Sequence, residues 1–238
     1  MEFKPSDIYL GVVELFSVLL PGALLEAAIV RAVYPIVHNP FAPLMETGET
    51  QWVAFGFAAY ALGAFVFPVA SLVDETFYNR YREKHWPKPD DHAFQLATEL
   101  RHRFFQSSRA SGDVPMNTFA WAKSMLILKA AAAFADVQRY EAESKFFRSL
   151  VVVLPIVGLF LAFAWRGPNL LLPASALILS LLMAGLSFRR YAERRQKSTE
   201  WAYRYVITLL QVGDAEAVTG PPPKDKPTAR RLGILKRP

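Results

Sequence analysis

The 238-residue chain contains no cysteine, which excludes disulfides, iron–sulfur clusters and thiolate zinc sites. It has no Gly-x-Ser-x-Gly nucleophile elbow, no Gly-x-x-x-x-Gly-Lys-[Ser/Thr] phosphate loop and no Gly-x-Gly-x-x-Gly dinucleotide turn. Histidine occurs only four times, too few for the His-rich ligand sets of membrane desaturases and hydroxylases. The opening Met1-Glu2-Phe3-Lys4 lacks a basic n-region, and no Ala-x-Ala-like site follows, so a cleaved signal peptide is not expected. An enzyme reading therefore has no specific motif to rest on.

Apolar length is abundant. Hydrophobic residues make up 53% of the chain and charged ones 20%, with a mean hydropathy of +0.18. The two kinds are segregated along the chain, whereas a soluble domain interleaves them at helical or strand period. Four apolar stretches result, at 8–37, 52–72, 149–165 and 170–187. At about 1.5 Å rise per residue, each reaches or nearly reaches across a bilayer core of roughly 30 Å. The expected fold class is therefore all-α, a polytopic membrane protein with four transmembrane helices extended into a cytoplasmic helical bundle.

Charge placement orients these helices. The connection 38–51 has no Lys or Arg and two Glu, and 166–169 holds one Arg. Residues 73–148 carry 12 Lys or Arg, and residues 188–238 another 12. The positive-inside rule then puts both termini and the 73–148 region in the cytoplasm, across a bacterial inner membrane. Trp52, Trp165 and Tyr191 mark span ends. The net charge of +6 suits anionic headgroups better than nucleic acid, because the basic tail lacks interleaved aromatics. Arg189, Arg190, Arg194 and Arg195 below the fourth span are the expected headgroup contacts.

The first stretch is irregular. Pro21-Gly22 interrupts it, and Pro removes an intrahelical donor, so a kink or break is expected there. The favoured reading is an interfacial helix at 6–19 followed by a span over about 20–37; the other is one long kinked span. Glu14, Glu26 and Arg31 are the candidates for a pore or relay, since charge at bilayer depth is costly. The alternative is a structural role at a helix interface. Glu26 and Arg31, five residues apart, are not expected to pair within one helix.

In the second stretch Gly56, Ala59 and Gly63 share one face, and Ala54, Ala58 and Ala61 form a second small set. Such stripes let helices approach closely in lipid, within the chain or at an oligomer seam. Gly167-Pro168-Asn169 is turn chemistry and makes the last two spans a hairpin. Five regions follow: 1–72, with the N-terminal helix and two spans; a cytoplasmic helical region at 73–148; the hairpin at 149–187; a helical extension at 188–211; and a basic, Pro-rich tail at 212–238, expected to be disordered. Within 73–148, Asp74 to Lys88 extends the second span and Asp90-Asp91 caps a helix to Ser108. Asp113 caps a single helix of about 50 residues running from Val114 through the third span.

One cluster suggests metal chemistry. Glu99 and His102 form Glu-x-x-His on a helical face shared with His92, the spacing that di-iron bundles use. No second Glu-x-x-His accompanies it, and the plainer reading is a solvated surface. No cofactor is expected. The segment Asp7–Gly22 resembles the opening of assorted bacterial multi-pass proteins; it covers under a tenth of the chain and implies no activity.

The expected function is a non-enzymatic, self-associating inner-membrane protein that couples a cytoplasmic bundle to the bilayer. Its bundle would dock a cytosolic protein partner, and its sharper form is an ion-conducting or membrane-permeabilising effector, as in some defence systems. The alternatives are a membrane enzyme using the His92/Glu99/His102 face on a lipid-like substrate, or a small transporter.

Overall fold

A computed structural model describes residues 5–33, 48–86, 91–107, 116–165 and 167–218, with side chains of the first helix described over 17–32. These residues are helical, with no strand among them. The elements are α1 (Pro5–Val33), α2 (Gly48–Val73), a π-helical turn (Asp74–Tyr78), α3 (Asn79–His85), α4 (His92–Ser107), α5 (Thr118–Lys129), α6 (Ala131–Ala164) and α7 (Leu171–Val218).

Three helical stretches among the described residues are long and apolar enough to cross a membrane: Gln51–His85, Ala131–Ala164 and Leu171–Gln211. Their apolar portions bury little inside the molecule, so Phe57, Phe65, Leu159, Leu179 and Leu182 point outward, as lipid-facing helices do. The apolar helix α1 packs against both α2 and α6. Leu25 and Ala28 of α1 meet Val66 of α2 and Val153 and Val157 of α6. α6 and α7 form the hairpin around Gly167-Pro168-Asn169, with Gly158 against Ser180.

A break at Pro21-Gly22 does not occur; α1 is one helix across it. Its reason is visible at the crossing with α2. A Cβ on Gly22 would lie 1.8 Å from the Ala59 carbonyl oxygen, and one on Gly63 would lie 2.0 Å from the Val18 carbonyl oxygen. The two backbones thus touch at glycine, Pro21 is fully buried beside them, and neighbouring helices are what make an interior Pro tolerable in membrane helices.

The expected single helix from Val114 through the third span is instead α5 and α6, divided at Ala130 with φ −148° and ψ 68°. Local propensity favours continuing through an alanine run. Packing overrides it: the break lets α5 fold onto α4 and α7, burying Trp121, Ala122, Met125 and Leu126 with Ala97, Val137, Ala202, Tyr203 and Val206. Helix α7 runs on to Val218, past the expected limit at 211. Asp91 caps α4 by accepting from the Phe94 N–H at 3.0 Å, and Asn117 caps α5 through Ala120 at 2.8 Å. The expected caps Asp90 and Asp113 lie outside the described residues, as do 34–47 and the tail from 219.

Candidate functional site

The most organised polar site sits where the apolar parts of α2, α6 and α7 give way to charge. At that level α2 passes into the π-helical turn, in which the Asn79 N–H bonds the Asp74 carbonyl five residues back. Turns of this kind hold one residue more than an α-turn and concentrate at functional sites. Asp74 leads it. Its Oδ2 accepts from Arg148 Nη1 of α6 at 2.8 Å, and its Oδ1 accepts from the Tyr191 hydroxyl of α7. Arg148 is buried and lies over the Phe67 ring at 4.8 Å. Tyr191 is 1% exposed and packs against Tyr78 at 5.3 Å and Phe188 at 6.1 Å. One carboxylate therefore ties three helices together, and charge-assisted bonds of this kind are about twice as strong as neutral ones.

Beyond this node lies a cavity of about 500 Å³ between α3, α4, the start of α5 and α7. Arg82, Arg101 and Arg195 line it, together with Asp74 and Asp91, while Trp86, Phe94, Phe119 and Tyr203 form apolar walls. Arg101 is held in place by donating to the Met116 carbonyl at 2.8 Å. Asp91 is occupied by capping α4. Tyr203, well beyond the apolar stretch of α7, has its phenol pushed up to about 12 by burial and by Asp91, so it stays neutral through the working pH range.

The residues singled out by sequence fall elsewhere. Ala59 and Gly63 lie in the α1–α2 crossing, whereas a Cβ on Gly56 would meet nothing within 4 Å, so Gly56 stands outside that seam. Glu26 is half-buried, with Oε2 shielded and lacking a hydrogen-bond partner among the described residues. Arg31 is exposed near Trp165 and Pro173 at the hairpin end. The side chain of Glu14 lies outside the described residues.

Of the four arginines assigned to headgroups, Arg189 is exposed and Arg190 pairs with Glu193 at 3.1 Å. The other two turn inward: Arg194 meets Glu143 of α6 at 3.1 Å, and Arg195 enters the cavity. The metal reading of His92, Glu99 and His102 is not supported. Glu99 pairs with Arg103 at 2.6 Å, the His102 ring contacts Arg101 at 3.3 Å, and no group of three or more ligating side chains gathers among the described residues.

Asp74, Arg148 and Tyr191 were missed by sequence reasoning, although a signal existed. Asp74 follows the second apolar stretch, Arg148 precedes the third and Tyr191 follows the fourth, so aligning span ends by level brings them together. Comparison with protein-family models, curated proteins and solved structures finds no match to this chain.

Proposed function

We propose that this protein is a membrane receiver, in which four spans, α1 among them, anchor a cytoplasmic helical bundle and respond to it. The observation that carries this reading is mechanical. Helices α6 and α7 each run without interruption from the bundle core (Val137, Val206) into the apolar region (Val153, Ala184), and Asp74, Arg148 and Tyr191 clamp them to α2 at the boundary. A shift in the bundle is then carried along two rods into the spans, and interfaces of this kind switch between discrete packings rather than deforming smoothly. The response is rearrangement of self-associated copies in a bacterial inner membrane, with both termini cytoplasmic as the Lys and Arg distribution favours.

The absence of cysteine makes the test direct. Single cysteines at Phe57, Leu179 or Leu182, all lipid-facing, are oxidised in native membranes, with and without Arg148→Met. The reading expects cross-linked copies whose pattern changes when the clamp is removed. An unchanged pattern sinks the coupling, and no cross-linking at any position sinks self-association. The shielded Oε2 of Glu26, without a hydrogen-bond partner among the described residues, favours a conducting response as a second reading. Conductance in planar bilayers that disappears in Glu26→Ala supports it; no conductance, or conductance unchanged by that substitution, removes it.

A further inference from the structure

Two arginines in the cavity have no direct ion-pair partner among the described residues. Arg82 from α3 and Arg195 from α7 are both half-buried there, and neither makes an ion pair or donates a side-chain hydrogen bond among the described residues; Glu141 acts on Arg195 only at longer range and is itself paired with Lys123 and Lys145. The two carboxylates in the wall are committed elsewhere, Asp74 to Arg148 and Tyr191, and Asp91 to the first turn of α4. Guanidinium groups crowded into a concave site without an anion repel one another. Their planar forks match the oxygens of a phosphate group. The first turn of α5 also borders the cavity through Thr118, adding the positive end of a helix dipole, whereas that of α4 is already taken by the Asp91 carboxylate. In the same lining, Phe94 and Phe119 pack around Tyr203 at 5.8 Å and 6.5 Å, an apolar wall for a planar or aliphatic body.

Height above the bilayer separates two sources of phosphate. Arg82 follows Leu72 by ten residues and Arg195 follows Ser187 by eight, which places them about 15 and about 12 Å past the ends of the apolar stretches. The headgroup layer is only about 5–8 Å thick on each side. At that height the two Cα positions lie beyond the headgroup layer, which favours a soluble phosphate over a lipid one.

We infer that this cavity binds a soluble phosphate ester of small-molecule size, its phosphate on Arg82 and Arg195 and its body against Phe94, Phe119 and Tyr203. The volume falls within the range of small-molecule sites. This deepens the receiver reading by naming what the bundle receives, but binding and coupling fail separately. Binding is read from ligand-dependent stability, and coupling from the cross-linking pattern above.

The test uses the full chain in nanodiscs of zwitterionic lipid at low salt, with inorganic pyrophosphate, adenosine monophosphate and adenosine as probes. Adenosine monophosphate raises the unfolding temperature at millimolar concentration, pyrophosphate does so more weakly, and adenosine does not. Arg82→Gln and Arg195→Gln each weaken the phosphate probes by about tenfold or more, while Arg189→Gln, outside the cavity, leaves them unchanged. The unfolding temperature of each variant without probe checks that it folds. Failure of both phosphate probes at about 10 mM overturns the proposal. So does an equal loss in Arg189→Gln, or stabilisation that arises only when anionic lipid replaces the probes.

Discussion

Removing the Asp74 carboxylate strands a charge. In Asp74→Ala the Arg148 guanidinium, whose side chain is only 10% exposed, loses its one ion-pair partner among the described residues, and the Tyr191 hydroxyl loses its acceptor. Breaking a buried pair from one side costs about 3–5 kcal/mol. The 28% exposure of Asp74 puts this site at the lower end, about 3 kcal/mol, because water partly re-solvates the gap. Arg148→Met leaves the better-solvated partner behind and costs less, about 2 kcal/mol. The double variant Asp74→Leu/Arg148→Met removes both charges and leaves a hydrophobic contact beside Phe67, so what remains is the unpaired Tyr191 hydroxyl, a loss of about 1 kcal/mol against the parent chain. At about 2–4 °C per kcal/mol for a chain of this size, Asp74→Ala lowers the unfolding temperature by about 6–12 °C. The double variant recovers most of that loss. The assay is intrinsic fluorescence during heating in detergent at one fixed scan rate, with all variants compared side by side. A drop under about 2 °C for Asp74→Ala, or losses that simply add in the double variant, refutes a buried, coupled node.

The α1–α2 crossing makes a sharper steric test. Gly22→Ala and Gly63→Ala each drive a methyl into backbone oxygen and lower stability by about 1–3 kcal/mol, whereas Gly56→Ala and Gly185→Ala meet nothing and stay within about 0.5 kcal/mol. Equal effects at all four positions, measured by the same melts, would remove the crossing. Glu141 sets an acid limit. Burial raises its carboxyl, but the Lys123 ammonium at 2.6 Å, with Lys145 and Arg195, outweighs burial and holds it below the ordinary range. A lowered folded value means stability that is present above about pH 4.3 and lost as pH falls through the folded value. The parent chain therefore loses more thermal stability than Glu141→Gln between about pH 5 and pH 3; parallel curves contradict this.

Much of the fold was legible because one-dimensional hydropathy decides where helices meet lipid. The apolar stretches, the Gly167-Pro168-Asn169 hairpin, α4 from His92 and the continuation of α7 past its apolar stretch all follow from local pattern. The failures share a cause. Pro21 looked like a break because a proline costs a donor locally; the glycine crossing that accommodates it belongs to another helix. Ala130 looked helical because alanine propensity is local; Trp121 and Leu126 needed a core that only folding supplies. The site was harder still. Arg194 and Arg195 read as lipid anchors by position, yet the orientation of α7 turns one to Glu143 and the other into the cavity. Position along the chain sets how far they lie beyond the apolar stretch, and packing sets their direction.

Direction is also what the π-helical turn controls, and two deletions separate its role from that of an ordinary helix. Thr76 is exposed within the turn, and Arg80 is exposed in α3, one α-helical turn further on. A π-turn carries one residue more than an α-turn, so deleting Thr76 lets the turn close as α-helix with α3 in nearly its present orientation. Tyr81 then keeps its edge contact with Phe188, now 5.5 Å, and Arg82 still faces the cavity. Deleting Arg80 can use that slack only by rotating Phe77, Tyr78 and Asn79 by about 100°, which tears the buried Tyr78 from Tyr191. Otherwise every later side chain rotates by about 100° and shifts by about 1.5 Å, which carries Arg82 out of the cavity and Tyr81 off α7. The expected result is that the Thr76 deletion retains pyrophosphate binding and most of its thermal stability, while the Arg80 deletion loses both. If the Thr76 deletion is as damaging as the Arg80 deletion, the turn does not act as a removable insertion. Asp74 would then owe its reach to Arg148 and Tyr191 to something other than the extra residue.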